Sequence, residues 1–208
     1  MIFLAWWSWV LVVVVGSLLG VVIGRVIVAK PYHINRMRPK FWMRAIKKMK
    51  RRDWLALLGI SLVLALVTYY VIEYFSIAIE RVWALYSPQE YVFQAIEESY
   101  PILLAIIVLT VPIFEEWIFR GILLNEFSRY LRSRSIGVAL SALLFALFHL
   151  SNPGTYPAAV LPLFLGGILF GICYLRVGLG GAIICHSTYN LIILLNEFYA
   201  IMPLPGIR

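Results

Sequence analysis

The chain has 208 residues, of which 62% are hydrophobic and only 13% charged, with a mean hydropathy of +0.90 and a formal net charge of +8. That balance excludes an ordinary soluble domain and reads as an integral membrane protein. The excess of basic residues therefore bears on where they sit relative to a bilayer, and no nucleic-acid partner is expected.

A helix crosses a bilayer with about 18 to 20 apolar residues. Runs that approach or exceed that length lie at about 2–24, 54–79, 101–119, 136–150, 158–175 and 180–200. They predict an all-α polytopic transmembrane helix bundle of six spans in one domain, 1–208. Within it, 1–53 supplies an N-terminal anchor and a basic juxtamembrane segment, and 100–200 carries the motifs that bear chemistry. The first run has no basic residue ahead of it and no small-residue cleavage site behind it, so it reads as an uncleaved anchor.

Between Arg25 and Arg52 lie 11 of the 18 basic residues, including the segment KPYHINRMRPKFWMRAIKKMKRR. Arg120, Arg129, Arg132 and Arg134 follow the third run, and Arg176 the fifth. If these three regions are cytoplasmic, 16 of 18 basic residues are inside, and both termini face out. The segment 80–100, with Glu80, Glu90, Glu97 and Glu98, then lies on the opposite face. Residues 30–52 mix aromatic and aliphatic side chains with their charges, which suits an amphipathic helix on anionic lipid headgroups. The compact loops and outward N-terminus fit a bacterial plasma membrane.

Cys173 and Cys185 lie in apolar runs with no C-x-x-C or metal spacing. There is no internal repeat and no phosphate-binding glycine loop. The glycines at 166, 167, 171, 178, 180 and 181 sit in or between the last two helices, where small residues permit close helix approach.

Polar residues inside the apolar runs are few, and a charge at the bilayer centre costs about 2 to 3 kcal/mol or more. They form three patterns: E-E-x-x-x-R (Glu115, Glu116, Arg120), F-x-x-x-H (Phe145, His149) and H-x-x-x-N (His186, Asn190). At about 100° per residue Glu116 and Arg120 share a helix face as an ion pair, and Glu115 points elsewhere without a local counterion. An apolar setting and a neighbouring carboxylate both disfavour the charged form of a carboxyl group, which suits proton exchange near neutral pH. With about 1.5 Å of rise per residue, Glu115, His149, His186 and Asn190 all fall roughly 10 to 18 Å below the cytoplasmic ends of their helices, so they can meet. Simpler roles exist for some of them. Glu116 with Arg120 suits a buried ion pair joining helices, His149 a helix end satisfied by the SNPG turn, and His186 with Asn190 interhelical hydrogen bonding.

The three patterns, in this order on separate apolar helices across 111–190, resemble those of the CAAX protease and bacteriocin-processing family, which includes the Rce1-type prenyl-protein endopeptidases. The resemblance implies a glutamate-dependent intramembrane endopeptidase that hydrolyses a peptide bond near the C-terminus of a membrane-associated protein or peptide, with its site opening towards the cytoplasmic half. Glu115 would be general base on a water positioned by His149. His186 and Asn190 would stabilise the oxyanion, and Glu116 with Arg120 would support the arrangement. It implies no cofactor and no metal. A zinc-dependent protease is an alternative, because two His and a Glu suffice for catalytic zinc, although H-E-x-x-H is absent. A non-catalytic scaffold or bacteriocin-immunity protein is another. A proton-coupled transporter would also need intramembrane Glu and His, but the interrupted inverted repeat that would mark one is missing.

Overall fold

The computed structural model describes residues 2–83, 101–151 and 157–201, all of them helical or in short connections. Most of the acidic connection expected at 80–100, residues 152–156 and residues 202–208 lie outside the described residues. The first apolar run forms α1 (Ile2–Ala29), followed by the single turn α2 (Tyr32–Asn35). Pro39 opens α3 (Pro39–Lys48), where a missing N–H costs nothing. Asp53 accepts from the backbone N–H of Lys50 at the start of α4 (Arg51–Trp83).

The third apolar run does not end near 119 as its composition predicts. It forms α5 (Pro101–Glu116), passes into a π-helical stretch over Trp117–Leu124, and continues as α6 (Asn125–Tyr130). Ser133 caps α7 (Arg134–His149) by accepting from the Ile136 N–H, one of the donors a helix start leaves orphaned. After a short turn at Pro157–Ala159, the run Val160–Ile201 is broken at Gly178, whose φ of 76° and ψ of −172° are open only to glycine. The break makes two helices, α8 (160–177) and α9 (179–201).

Contacts show how these helices run. Phe170 of α8 meets His186 and Tyr189 of α9, so the pair folds back as an antiparallel hairpin at Gly178. Gly166 lies against Ile72, Gly181 against Ser61, and Asn196 donates to Tyr69, which sets α4 antiparallel to α8 and parallel to α9. Gly167 and Gly171 face Ala142 and Val138, so α7 is antiparallel to α8. A Cβ at Gly167 would stand 3.0 Å from the Ala142 backbone, so that crossing requires glycine. Asn190 and His186 reach Val108 and Glu116, which sets α5 antiparallel to α9. From α4 to α9 successive long helices alternate in direction.

The core contains Ala65, Phe119, Leu123, Phe145, Phe170, Cys173 and Cys185, where α4, the π stretch, α7, α8 and α9 converge. Outward faces are apolar too: Leu62, Val63, Leu66, Tyr70 and Tyr74 of α4 are exposed. Two runs among the described residues, Arg51–Ile79 and Pro157–Asn196, are long and apolar enough to cross a membrane. Gly178 divides the second of these.

Candidate active site

Glu115 and Glu116 end α5, and the chain then widens into π-helix, a rare geometry that recurs at functional sites. Arg120, within the π stretch, donates from Nη1 to Glu116 Oε1 at 2.8 Å, so the i,i+4 ion pair expected from sequence forms although the repeat is not α-helical throughout. Both side chains are fully buried. The same Oε1 takes a second hydrogen bond, from His186 Nδ1 at 2.8 Å. Glu115 is not isolated: its Oε2 lies 3.7 Å from His186 Nε2. It lacks a counterion only along the sequence, because the partner arrives from α9. The side chain of Glu115 keeps 16% exposure where Glu116 has none, so Glu115 is the carboxylate that a reacting molecule can reach.

Aromatic rings fix the imidazole and the guanidinium. His186 stacks on Phe170 with centroids 4.3 Å apart, and Phe145 meets it edge-on at 5.7 Å. Arg120 lies 4.6 Å from the Phe145 centroid and 5.5 Å from that of Phe170, while its Nη2 donates to the Gly167 carbonyl at 2.8 Å. A buried guanidinium thus has a carboxylate, a carbonyl and two π faces to replace lost water. Phe145 of the F-x-x-x-H pattern is therefore a wedge between reactive groups. Phe170 and the Gly167 carbonyl were not legible in sequence, since nothing distinguishes one phenylalanine or glycine in an apolar run.

His149 donates from Nδ1 to the Phe145 carbonyl at 2.8 Å, and its ring lies 4.4 Å from that of Phe145. Its own helix thus supplies the partner for which the following turn is the sequence-level candidate. A carbonyl on His149 Nδ1 and a carboxylate on His186 Nδ1 each select the Nδ1–H tautomer, leaving Nε2 as the acceptor in the neutral ring. His149 lies within electrostatic range of Glu115 and His186. Asn190 shares the His186 face but does not aim its first donor at the same point: Nδ2 donates to the Val108 carbonyl of α5 at 3.0 Å. The interhelical hydrogen bond weighed for it therefore exists, and the amide retains a second N–H. Among the described residues no three His, Cys, Asp or Glu side chains converge as a metal-ligating group.

Residues 97–192, 96 of the 208, match the family model described as type II CAAX prenyl endopeptidase, Rce1-like. This stretch of the chain is Rce1-like. Among curated proteins and among solved structures nothing matches the chain. The matched family is one of membrane-embedded peptidases, and hydrolysis is its class of chemistry.

All seven motif residues fall inside the Rce1-like stretch, but a second polar cluster ties it to the segment before it. Glu126 of α6 accepts from His33 Nε2 at 3.1 Å, from Tyr32 and from Arg129, and pairs with Lys30. Trp117 Nε1 donates to the His33 carbonyl at 2.9 Å. Arg36 donates to the Gly121 carbonyl at 2.9 Å and to Tyr174 Oη, and Asn125 donates to the Arg120 and Gly121 carbonyls and to Tyr174. Partial burial pushes the Glu126 carboxyl up, but hydrogen bonds from Lys30 and His33 and the Arg129 charge hold it below the usual carboxylate range.

The basic segment read as one lipid-facing piece is thus two. Residues 30–36 are docked on the Rce1-like core, and His33 is fully buried. From Arg38 to Arg52 the basic side chains have no ion-pair partner among the described residues, and α3 buries none of its side chains. No sequence pattern marks Glu126 as the acceptor that separates the halves, because it lies 93 to 96 residues away from Lys30, Tyr32 and His33.

Proposed function

We propose that the chain is a glutamate-dependent intramembrane endopeptidase that cleaves a membrane-associated protein or peptide. What supports this reading is the convergence of Glu115, Glu116 and His186 from two helices inside the Rce1-like stretch, with an accessible carboxylate beside a buried, oriented imidazole. Glu115 takes a proton from water as the oxygen attacks the scissile carbonyl. His149 orients that water through its Nε2 lone pair. His186, its Nδ1–H held by Glu116, enters the step as the imidazolium, and its Nε2–H donates to the developing oxyanion, assisted by the second N–H of Asn190. As the tetrahedral intermediate collapses, the C–N bond breaks and Glu115 passes its proton to the leaving amine. General-base catalysis of this kind is worth about 10² to 10⁴ in rate, and one oxyanion donor about 10² to 10³.

The six apolar helices α1, α4, α5, α7, α8 and α9 cross the bilayer with 25–52, 120–134 and 176 on the cytoplasmic side. The unpaired basic residues of 38–52 then lie against anionic headgroups. In cells, replacing the gene with its Glu115→Gln variant should cause peptides to accumulate uncleaved, and those peptides identify the substrate. A variant that inserts and folds normally, yet leaves the peptide pool unchanged, overturns the reading and favours a scaffold.

A further inference from the structure

Pro112 lies inside α5. Proline has no N–H, so the carbonyl four residues earlier, that of Val108, loses its helical donor. In an apolar setting such an acceptor is costly unless another group satisfies it. The Asn190 amide does so at 3.0 Å, and one turn away Ser187 Oγ donates to the next carbonyl, that of Leu109, at 3.1 Å. Both donors stand on α9 immediately after His186. Both acceptors stand on α5, six and seven residues before Glu115.

We propose that Pro112, Ser187 and Asn190 form a latch that sets the register of α9 against α5, and so holds His186 between Glu115 and Glu116. Ser187 and Asn190 act here as positioning residues, through the Val108 and Leu109 carbonyls. The proline creates the docking point within a continuous α5: it frees a carbonyl at one level, and the α9 register that places Asn190 opposite satisfies it. That register puts His186 Nδ1 2.8 Å from Glu116 and Nε2 3.7 Å from Glu115. A one-residue slip of α9 would turn the imidazole by about 100° away from both carboxylates. The assignment rests on the endopeptidase reading for its catalytic meaning, but the latch itself is a property of the folded chain.

The test is a double-mutant cycle in detergent that needs no substrate. Asn190→Ala in the natural background should lower Tm by about 2–4 °C, because a half-buried carbonyl loses its donor. In a Pro112→Ala background residue 112 regains its N–H, and the same Asn190→Ala change should lower Tm by less than half as much. Register is read separately from the ring ¹⁵N signals of histidine-labelled protein, tractable because the chain has only 3 histidines. Asn190→Ala should move the His186 signals, and Asn190→Gln, which keeps an amide donor, should move them less. Should Pro112→Ala fail to fold, Asn190→Asp against Asn190→Gln asks the same question, since a carboxylate cannot donate. Equal Tm losses in the natural and the Pro112→Ala backgrounds, or His186 signals unmoved by Asn190→Ala and Asn190→Asp, overturn the latch. An intact latch in a chain whose Glu115→Gln variant changes no peptide in cells would instead remove the protease reading and leave this inference standing.

Discussion

Glu115 and Glu116 are neighbours in sequence and share one histidine, yet their surroundings give them different work. Glu116 is fully buried and divides one oxygen between Arg120 and His186, so it orients. Glu115 is reachable and meets the far nitrogen of the imidazole, so it can exchange a proton with water. Glu115→Gln should therefore lower turnover of the identified substrate by about 10² to 10⁴ with the melting temperature unchanged, measured on one purified preparation. Glu116→Gln should act mainly on stability. It leaves the buried Arg120 charge without its counterion, and breaking such a pair costs about 3–5 kcal/mol, readable as loss of folding free energy in denaturant. Because the proposed water is activated by Glu115 directly, a strong zinc chelator should leave cleavage intact. Activity lost on stripping and restored by one zinc per chain would transfer the chemistry to the metal.

Elements carry a second layer of control. The α8–α9 hairpin turns on a single residue, and space alone would admit a larger one: a Cβ at Gly178 meets nothing within 4 Å. Backbone conformation forbids it, so Gly178→Ala should cost about 1–3 kcal/mol in equilibrium unfolding despite the open surroundings. Glu126 clamps 30–36 to α6. Its carboxyl is held below the ordinary range, so its contribution is fully present above the unfolded value of about 4.3 and is lost as pH falls through the lower, folded value. Spin labels on Ile34→Cys and Tyr130→Cys, in a background lacking the natural cysteines, should keep one separation from about pH 7 to 5 and spread to longer distances below about pH 4. With Glu126→Gln the spread should be present at every pH.

At the scale of the whole molecule, alternation of direction from α4 to α9 is the up-and-down packing of a helix bundle. In a bilayer it places the π stretch and α6 at the same end of the bundle as 30–52 and the Gly178 turn. Trp42 of α3 lies against Gly180 just beyond that turn, and His33 and Arg36 bond Trp117 and Gly121, so the basic segment touches both the π stretch and the beginning of α9. Reconstituted protein should accordingly expose Ser133→Cys and Arg176→Cys, each in a background lacking the natural cysteines, to a membrane-impermeant thiol reagent from one and the same side. Labelling from opposite sides would break the proposed six-span order.

What the sequence by itself determined was periodic or local. Apolar runs located α1, α4, α5, α7, α8 and α9 to within a few residues, because burying twenty apolar side chains in helix is dictated by composition and backbone hydrogen bonding alone. The spacing of Glu116 and Arg120 foretold their ion pair, and the rarity of charge in apolar runs singled out Glu115, His149, His186 and Asn190. Only tertiary structure decided how these groups are partnered. The contact of His186 with both carboxylates depends on α9 register, which no i,i+4 rule encodes. The same is true of Phe170 under the imidazole, of Glu126 receiving His33 and Lys30, and of the Val108 carbonyl that Pro112 releases to Asn190. In each of these the partners are brought together by chain direction and side-chain packing between helices far apart in sequence, and an apolar run looks alike whichever of its faces is used.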